Sequence, residues 1–346
     1  MVRSVTRHLP WIAAAALFVG CAAAPAPKPQ PAADSGDYLA AVPTRTDQLS
    51  LEQAEAMVAA FQVKHGGAAD NDPLRTPASQ ADALTILKRD QIDLFPAAAA
   101  FLAGQSDPQS QALHAQIQLA WGEGCVVLAD LLWDHAARTR PRVQRLEMTE
   151  AAGALDEAGK ASLAAMRDSV QEATGAATAL MRVAAEHLRA GVELAHQVIR
   201  AMPDDYVGYR VAGDYHRLRQ DWLAFDATIA KLEALNPESN GLAFLRGVSA
   251  AERDGDTAAA REHLRAALTR DPAFVRAQAQ LVLWADEVAD QHAELLRLEA
   301  LNPQHQIVRW AGPKIKEAFP PTPAAQPPAV ETPAEAQAES SAAAAP

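Results

Sequence analysis

The sequence has few of the residues from which β-sheets are built. Aromatic residues make up 5% of its 346 residues, and much of the 49% of hydrophobic residues is alanine. Alanine is the best helix former and a poor strand former, and we find no convincing run in which polar and apolar residues alternate. The composition therefore predicts an all-α fold, in a chain long enough for one or two domains with a substantial core.

Basic residues are also scarce relative to acidic ones. The chain has 31 Lys and Arg against 43 Asp and Glu, which gives a formal net charge of −12. Nucleic-acid binding usually requires a basic face that neutralises phosphates. The charge balance therefore argues against a nucleic-acid partner.

Cysteine is nearly absent, and one of the two cysteines lies in a segment typical of secretion. The chain begins "MVRSVTRHLPWIAAAALFVGC", in which Arg3 and Arg7 precede an apolar stretch from Trp11 to Gly20. This stretch is too short to span a bilayer as a helix, but it fits the core of a signal peptide. If Cys21 has another fate, Cys125 is alone and a disulfide framework is excluded.

The sequence "FVGC" resembles the lipoprotein signal of bacteria, in which a Leu-small-small-Cys box is cut before a cysteine that is then acylated. Phe18 replaces the usual Leu here. The resemblance implies a signal peptide over residues 1–20, an acylated Cys21 and, because Ala22 follows it, an outer-membrane lipoprotein that faces the periplasm. A Pro/Ala-rich tether over 21–46 agrees with this interpretation. The alternative is a secreted periplasmic protein that is cleaved after the alanines at 22–24.

Residues 47–203 read as a helical region with long helices. Ser50, Ser79 and Asp107 are expected to begin helices, and apolar residues three and four apart predict a long helix after Pro108. Pro141 should kink or end that helix. Between residues 149 and 202 a break is expected at Gly175. We expect this region to pack directly onto the segment after Pro203, because no linker separates the two.

Four helix ends then close on a proline, at Pro203, Pro237, Pro272 and Pro303, and the string "LEALNP" occurs at two of them. The intervals of 34, 35 and 31 residues indicate tandem helical hairpins with a corner at each proline. Over 206–303 the chain resembles the tetratricopeptide repeat family, a helix-turn-helix unit of 34 residues. Gly213 and Gly247 match its small close-contact positions.

The resemblance implies an α-solenoid over 204–318 whose concave face is formed by the first helix of each hairpin. Arg210, Asp214 and Arg217 share one helix face and map to positions at which the family holds extended peptides, and Tyr206 would add an aromatic contact. The alternative is a solvated charged face with internal salt bridges. Residues 319–346, with three glutamates and no basic residue, read as a disordered acidic Pro/Ala-rich tail.

No pattern in the sequence indicates catalysis, a cofactor or a metal site. Neither a zinc-type His/Cys spacing nor a nucleophile elbow nor a phosphate-binding glycine loop is present. Glu238-Ser239 resembles the Glu-Ser pair of lytic transglycosylases, but it falls between repeats, where Ser239 is a natural helix start. Cys125 is expected to be a buried small residue. Gly122 and Gly124 weaken the long helix and would allow a neighbour to approach closely.

The sequence therefore predicts a non-enzymatic, lipid-anchored envelope scaffold or adaptor that binds a protein or peptide partner through the tetratricopeptide-like surface. The chain also resembles, in general plan, the helical T-component lipoproteins of periplasmic solute transporters. These bind a small molecule, and a pocket around Trp121 and Trp133 would favour this alternative. A weaker alternative is a cell-wall hydrolase.

Overall fold

The structure, a computed structural model, describes residues 49–65 and 71–319. Within these ranges the protein has 13 α-helices and no strand, which confirms the all-α class. The helices are α1 Leu51–His65, α2 Gln80–Arg89, α3 Phe95–Ala103, α4 Pro108–Ala151, α5 Glu157–Ala201, α6 Tyr206–Leu218, α7 Trp222–Leu235, α8 Asn240–Asp254, α9 Thr257–Arg270, α10 Val275–Leu283, α11 Val288–Leu301, α12 Gln306–Trp310 and α13 Gly312–Ala318. The predicted signal peptide, the tether and all but the first residue of the acidic tail lie outside the described residues.

The helix starts predicted from Ser50, Ser79 and Asp107 are confirmed. Each side chain accepts a hydrogen bond from a backbone N–H three residues later, at 3.1, 3.1 and 2.8 Å. These bonds satisfy donors that the first turn of a helix leaves without a partner. Asp156, Asp221, Ser239 and Asp256 cap four later helices in the same way, and Asp205 caps α6 through the N–H two residues later.

Helices α4 and α5 form a long antiparallel hairpin of 44 and 45 residues, each about 66 Å long at 1.5 Å per residue. The structure has neither a helix end at Pro141 nor a break at Gly175, so these two predictions of where the helices end were wrong. Helix α4 continues through Pro141, which lies on an exposed stretch where water can bond the carbonyl that proline leaves unpaired. The hairpin turns instead at Gly153, where φ is +71°, while Gly175 lies inside α5.

Glycines allow the two long helices to approach closely. A Cβ on Gly191 of α5 would lie 3.1 Å from the backbone nitrogen of Leu119 and 3.3 Å from the carbonyl of Ala115, both on α4. A Cβ on Gly122 of α4 would meet the carbonyl of Ala184 at 3.1 Å. The expectation that Gly122 marks a close approach is therefore correct, and the neighbour is α5.

The segment after Pro203 consists of three antiparallel hairpins, α6–α7, α8–α9 and α10–α11, followed by α12 and α13. The four prolines occupy equivalent corners. At each corner the residue before the proline donates its N–H to the carbonyl four residues earlier, at 2.7–3.0 Å. Its own carbonyl accepts an N–H three residues later, at 3.0–3.2 Å. The repeated sequence therefore encodes a repeated backbone corner, as the proline spacing predicts.

The close-contact glycines of the repeats are also confirmed. A Cβ on Gly247 would lie 3.1 Å from the carbonyl of Ala260 in the partner helix of its hairpin, and one on Gly213 would lie 3.2 Å from Thr228. Phe225 of α7 is buried in the core of the repeats. The long hairpin packs directly onto the repeats, with Ala195 and Val211 in one buried cluster. Of the described helices, none is both long and apolar enough to cross a membrane.

We expect Gly191→Ala to destabilise the protein by about 1–3 kcal/mol, because the added methyl group meets backbone atoms that cannot move aside. Gly175→Ala is the matched control in the same helix, where the nearest atom lies at 3.7 Å. It should be neutral or stabilise by up to about 1 kcal/mol through helix propensity. Urea unfolding of both variants measures the difference. Equal effects would contradict the close packing of the hairpin.

Candidate functional site

The repeats turn one face, which we call the inner face, towards the long helix α4. Arg210, Asp214 and Arg217 lie on one face of α6, as the sequence predicts, but their exposed fractions are 7%, 0% and 2%. The expectation that they are available to a partner is therefore corrected, because α4 lies against this face, with Glu123 at Arg217 and Gln116 at Arg210. Tyr206 is half-buried against the core of the repeats.

Arg217 is the centre of a buried network of charges. Its Nη2 lies 2.9 Å from Oε1 of Glu123 on α4 and 2.9 Å from Oδ1 of Asp214 on its own helix. Its Nη1 lies 2.6 Å from Oε1 of Glu252 on α8. One guanidinium therefore joins the first hairpin, the second hairpin and the long helix.

Arg276 extends the network to the third hairpin. Its Nη2 pairs with the second oxygen of Glu123 and lies 3.0 Å from Oδ2 of Asp214. Its guanidinium carbon lies 4.9 Å from the centre of the Phe244 ring, within the range of a cation–π contact. Nearby, Nη2 of Arg210 donates to Oε1 of Gln116 on α4 at 2.8 Å.

The network is held by ion pairs that offset the cost of removing charges from water. Burial raises the pKa of Glu252, and the charge of Arg217 offsets part of the rise. Burial acts to lower the pKa of Arg217, but Glu252 and Asp214 outweigh it and hold that pKa above its usual value. Burial lowers the pKa of Arg276, whose ion-pair partners are Glu123 and Asp214. The inner face of the repeats therefore binds the chain's own Glu123.

A small cavity adjoins this network between α4, α10 and α12. Its volume is about 20 Å³, and Glu123, Arg276, His305 and Gln306 are among the residues that line it. Oε1 of Gln306 is buried without a hydrogen-bond partner. The cavity has room for about one water molecule, which could donate to this oxygen.

The space beside Trp121 is filled by a side chain of α5. The ring of His187 stacks on Trp121 with the ring centres 3.5 Å apart, and its Nδ1 lies 2.6 Å from Oε1 of Gln118. Burial lowers the pKa of His187 to about 4, so the ring is neutral at pH 7. Trp133 is partly buried against the same core.

The other residues that the sequence analysis considered for chemistry have structural contacts. Cys125 is buried, and burial raises the pKa of its thiol. Glu238 pairs on the surface with Arg270 at 2.9 Å, and Ser239 caps α8 through the N–H of Leu242. Residues 49–65 and 71–319 contain no group of three or more His, Cys, Asp or Glu side chains that could hold a metal ion.

The distal part of the long hairpin projects as an arm, which we define as residues 137–169. Its only buried side chains are Val143 and Leu163. At its base Asp134 pairs with Arg138 at 2.7 Å and with Lys314 of α13 at 3.8 Å. Beyond this level α4 continues for 15 residues, from 137 to 151, which corresponds to about 22 Å.

The arm carries the sequence "RTRPRVQR", in which four of eight residues are arginine and none is acidic. Arg140, Arg142 and Arg145 are exposed and have no ion-pair partner among the described residues. Arg138, Arg142 and Arg145 are spaced four and three apart and share one helix face. The nearest acidic side chains, Glu147 and Glu150, pair with Arg167 of α5. We call residues 138–145 the arginine face, although Arg140, two residues after Arg138, lies on the other side of the helix.

The sequence analysis did not identify Glu123, Glu252, Arg276 or the arginine face. The sequence around Glu123 does indicate a buried charge, because Glu123 is a lone carboxylate between two glycines in an apolar helix segment, "WGEGCVV". A charge in that position requires a buried partner. Its partners, Arg217 and Arg276, are 94 and 153 residues away in the sequence, and no local pattern reveals them.

We expect Glu123→Ala to lower the free energy of unfolding by about 3–5 kcal/mol, because two buried guanidinium groups lose a shared carboxylate. Glu233→Ala is the matched control, since Glu233 pairs with Arg246 where both side chains are more than two-fifths exposed. It should cost no more than about 1 kcal/mol. Denaturant unfolding compares the two variants. A loss at position 123 as small as that at 233 would show that the network does not hold the repeats to α4.

No protein-family model, curated protein or solved structure matches this chain. A function for this protein therefore has to be inferred from its own residues and contacts.

Proposed function

We propose that the protein is a lipid-anchored scaffold of the cell envelope, and that it binds a protein or peptide partner through the arm rather than through the inner face of its repeats. The observation that carries the proposal is the arm itself. It extends about 22 Å beyond the packed body and exposes arginines that the rest of the described chain does not pair.

The arm has little reason to exist as a stabilising element. Burial of apolar surface is the dominant favourable contribution to folding, and this stretch of 33 residues buries two side chains. Met148 on the arm is 74% exposed. A long hairpin that adds almost nothing to the core, yet exposes charged and apolar side chains well away from it, is suited to contact another molecule.

Two features of the body support this choice over binding through the repeats or in a pocket. The positions that the tetratricopeptide family uses for peptides are occupied by Glu123 and Gln116 of the same chain. The place at which a small-molecule pocket was considered holds the stacked rings of Trp121 and His187. The transporter-type alternative therefore gains no support at that position. The cell-wall hydrolase alternative also gains no support, because Glu238 is an exposed member of a surface ion pair.

The arm should crosslink to its partner in the native envelope. A photoreactive amino acid at Arg142 or Thr149 on the arm is expected to capture a discrete protein, while the same probe at the exposed Ala227 on α7 should not capture it. The arm variant Arg140→Gln, Arg142→Gln, Arg145→Gln should reduce capture from position 149. Capture of the same species with equal yield from Ala227 would place the contact elsewhere and contradict the proposal.

The lipid anchor is tested separately at Cys21. Metabolic labelling with an alkyne-tagged fatty acid should label the wild-type protein and fail to label Cys21→Ser, because the acyl chains are attached to this residue and its new N-terminus. Cys125→Ser is the matched control and should be labelled normally. A wild-type protein that is exported, cleaved and unlabelled would instead support the secreted periplasmic form.

A further inference from the structure

We propose that the arginine face of the arm is covered in cis by the chain's own acidic tail, through Glu331, Glu335 and Glu339. That this contact regulates partner binding rests on the proposed function of the arm. The existence of the contact is independent of that function, because both segments belong to this chain.

The arginine face and the acidic tail are complementary in charge. The arginine face has four positive charges in eight residues, and three of these arginines have no acidic partner in the described chain. Residues 320–346 contain three glutamates and no Lys, Arg or His. The rest of the molecule repels an acidic segment, because the chain as a whole has a net charge of −12.

The last helix before the tail, α13, lies near the arginine face. Helix α13 lies at the base of the arm, where Nζ of Lys314 is 3.8 Å from Oδ2 of Asp134, and the same Asp134 pairs with Arg138. The charge of Arg138 also contributes, after burial, to the lowered pKa of Lys314. The last described residue, Phe319, follows Lys314 by five positions. The ring of Phe319 lies 4.9 Å from that of His292 on α11, so the tail begins at α11, five residues after the contact of α13 with the base of the arm.

The tail is long enough to extend along the arginine face. Glu331 lies 12 residues after Phe319 and Glu339 lies 20 after it, so an extended chain could span about 40 Å to the first of them. The arginine face extends over seven residues of helix, about 10 Å. The tail is therefore long enough to reach all four arginines. Because the two segments belong to one chain, their effective concentration is in the millimolar range, which favours even weak contacts.

Exposed ion pairs of this kind are individually weak and screened by salt. The docked tail is therefore in equilibrium with a free one, and an anionic surface on a partner can displace it. The tail would in this way keep the arginine face from non-specific anions while leaving it open to a partner that offers more charge or better geometry.

The test measures energy transfer between dyes at Thr149→Cys on the arm and Ser341→Cys in the tail, in the purified full chain with Cys21→Ser. Cys125 is buried and does not take up dye. Transfer should be high at about 20 mM salt and fall at about 500 mM, where the screening length is only a few ångströms. Both the arm variant (Arg140→Gln, Arg142→Gln, Arg145→Gln) and the tail variant (Glu331→Gln, Glu335→Gln, Glu339→Gln) should lower the ratio of docked to free tail by about threefold or more.

The matched control removes the same charge elsewhere, with Lys88→Gln, Arg200→Gln and Arg219→Gln, which are all exposed and without an ion-pair partner among the described residues. It should leave transfer unchanged. An arm variant that behaves like this control would overturn the inference. So would an arm variant that loses binding to vesicles of anionic phospholipid while transfer is unaffected, since the face would then be a membrane contact. Both results are read on purified protein and are independent of whether the envelope crosslink is found.

Discussion

The carboxylate of Glu123 is the contact on which the arrangement of the repeats depends. One of its oxygens binds Arg217 of the first hairpin, and the other binds Arg276 of the third. Asp214 bridges the same two arginines from the opposite side. Charges buried in this way are favourable only when every member has its partners. A shift of one hairpin along α4 would leave at least one of them unpaired, so the network selects a single alignment of the repeats.

The fold therefore has two levels of specification. The proline corners are local, because each is closed by hydrogen bonds between residues three and four apart, and they determine that hairpins form and how long they are. The relation of the hairpins to α4 is determined by Glu123 and by contacts such as that of Arg210 with Gln116. The side chains that a tetratricopeptide array would present to a peptide are used here to bind a helix of the same chain, which leaves the arm as the part that projects.

Sequence patterns predicted the local level well. The all-α class, the helix starts at Ser50, Ser79 and Asp107, and the corners at four prolines all depend on residues within one or two turns of each other. The position of the turn in the long hairpin was not predicted, because a single proline or glycine does not by itself end a helix. Pro141 is tolerated on an exposed stretch, Gly175 lies beneath Met57 of α1 with ordinary spacing, and Gly153 followed by the cap Asp156 forms the actual turn. The placement of Arg210, Asp214 and Arg217 on one face was correct, but their burial depends on a carboxylate about 90 residues earlier in the sequence.

Helix α4 contains both Glu123 and the arginine face, so bending of the arm could in principle disturb the buried ion pairs of Glu123. Arg138 lies 15 residues after Glu123, about 22 Å along the helix. Between them Leu131 packs against the buried cluster that contains Ile315 of α13, so the helix is held on the body near the base of the arm. Pro141 follows just beyond this point and removes one hydrogen bond from the helical ladder. The least resistant position for bending is therefore on the arm side of this contact, where the arm can tilt while Glu123 stays bound to both arginines.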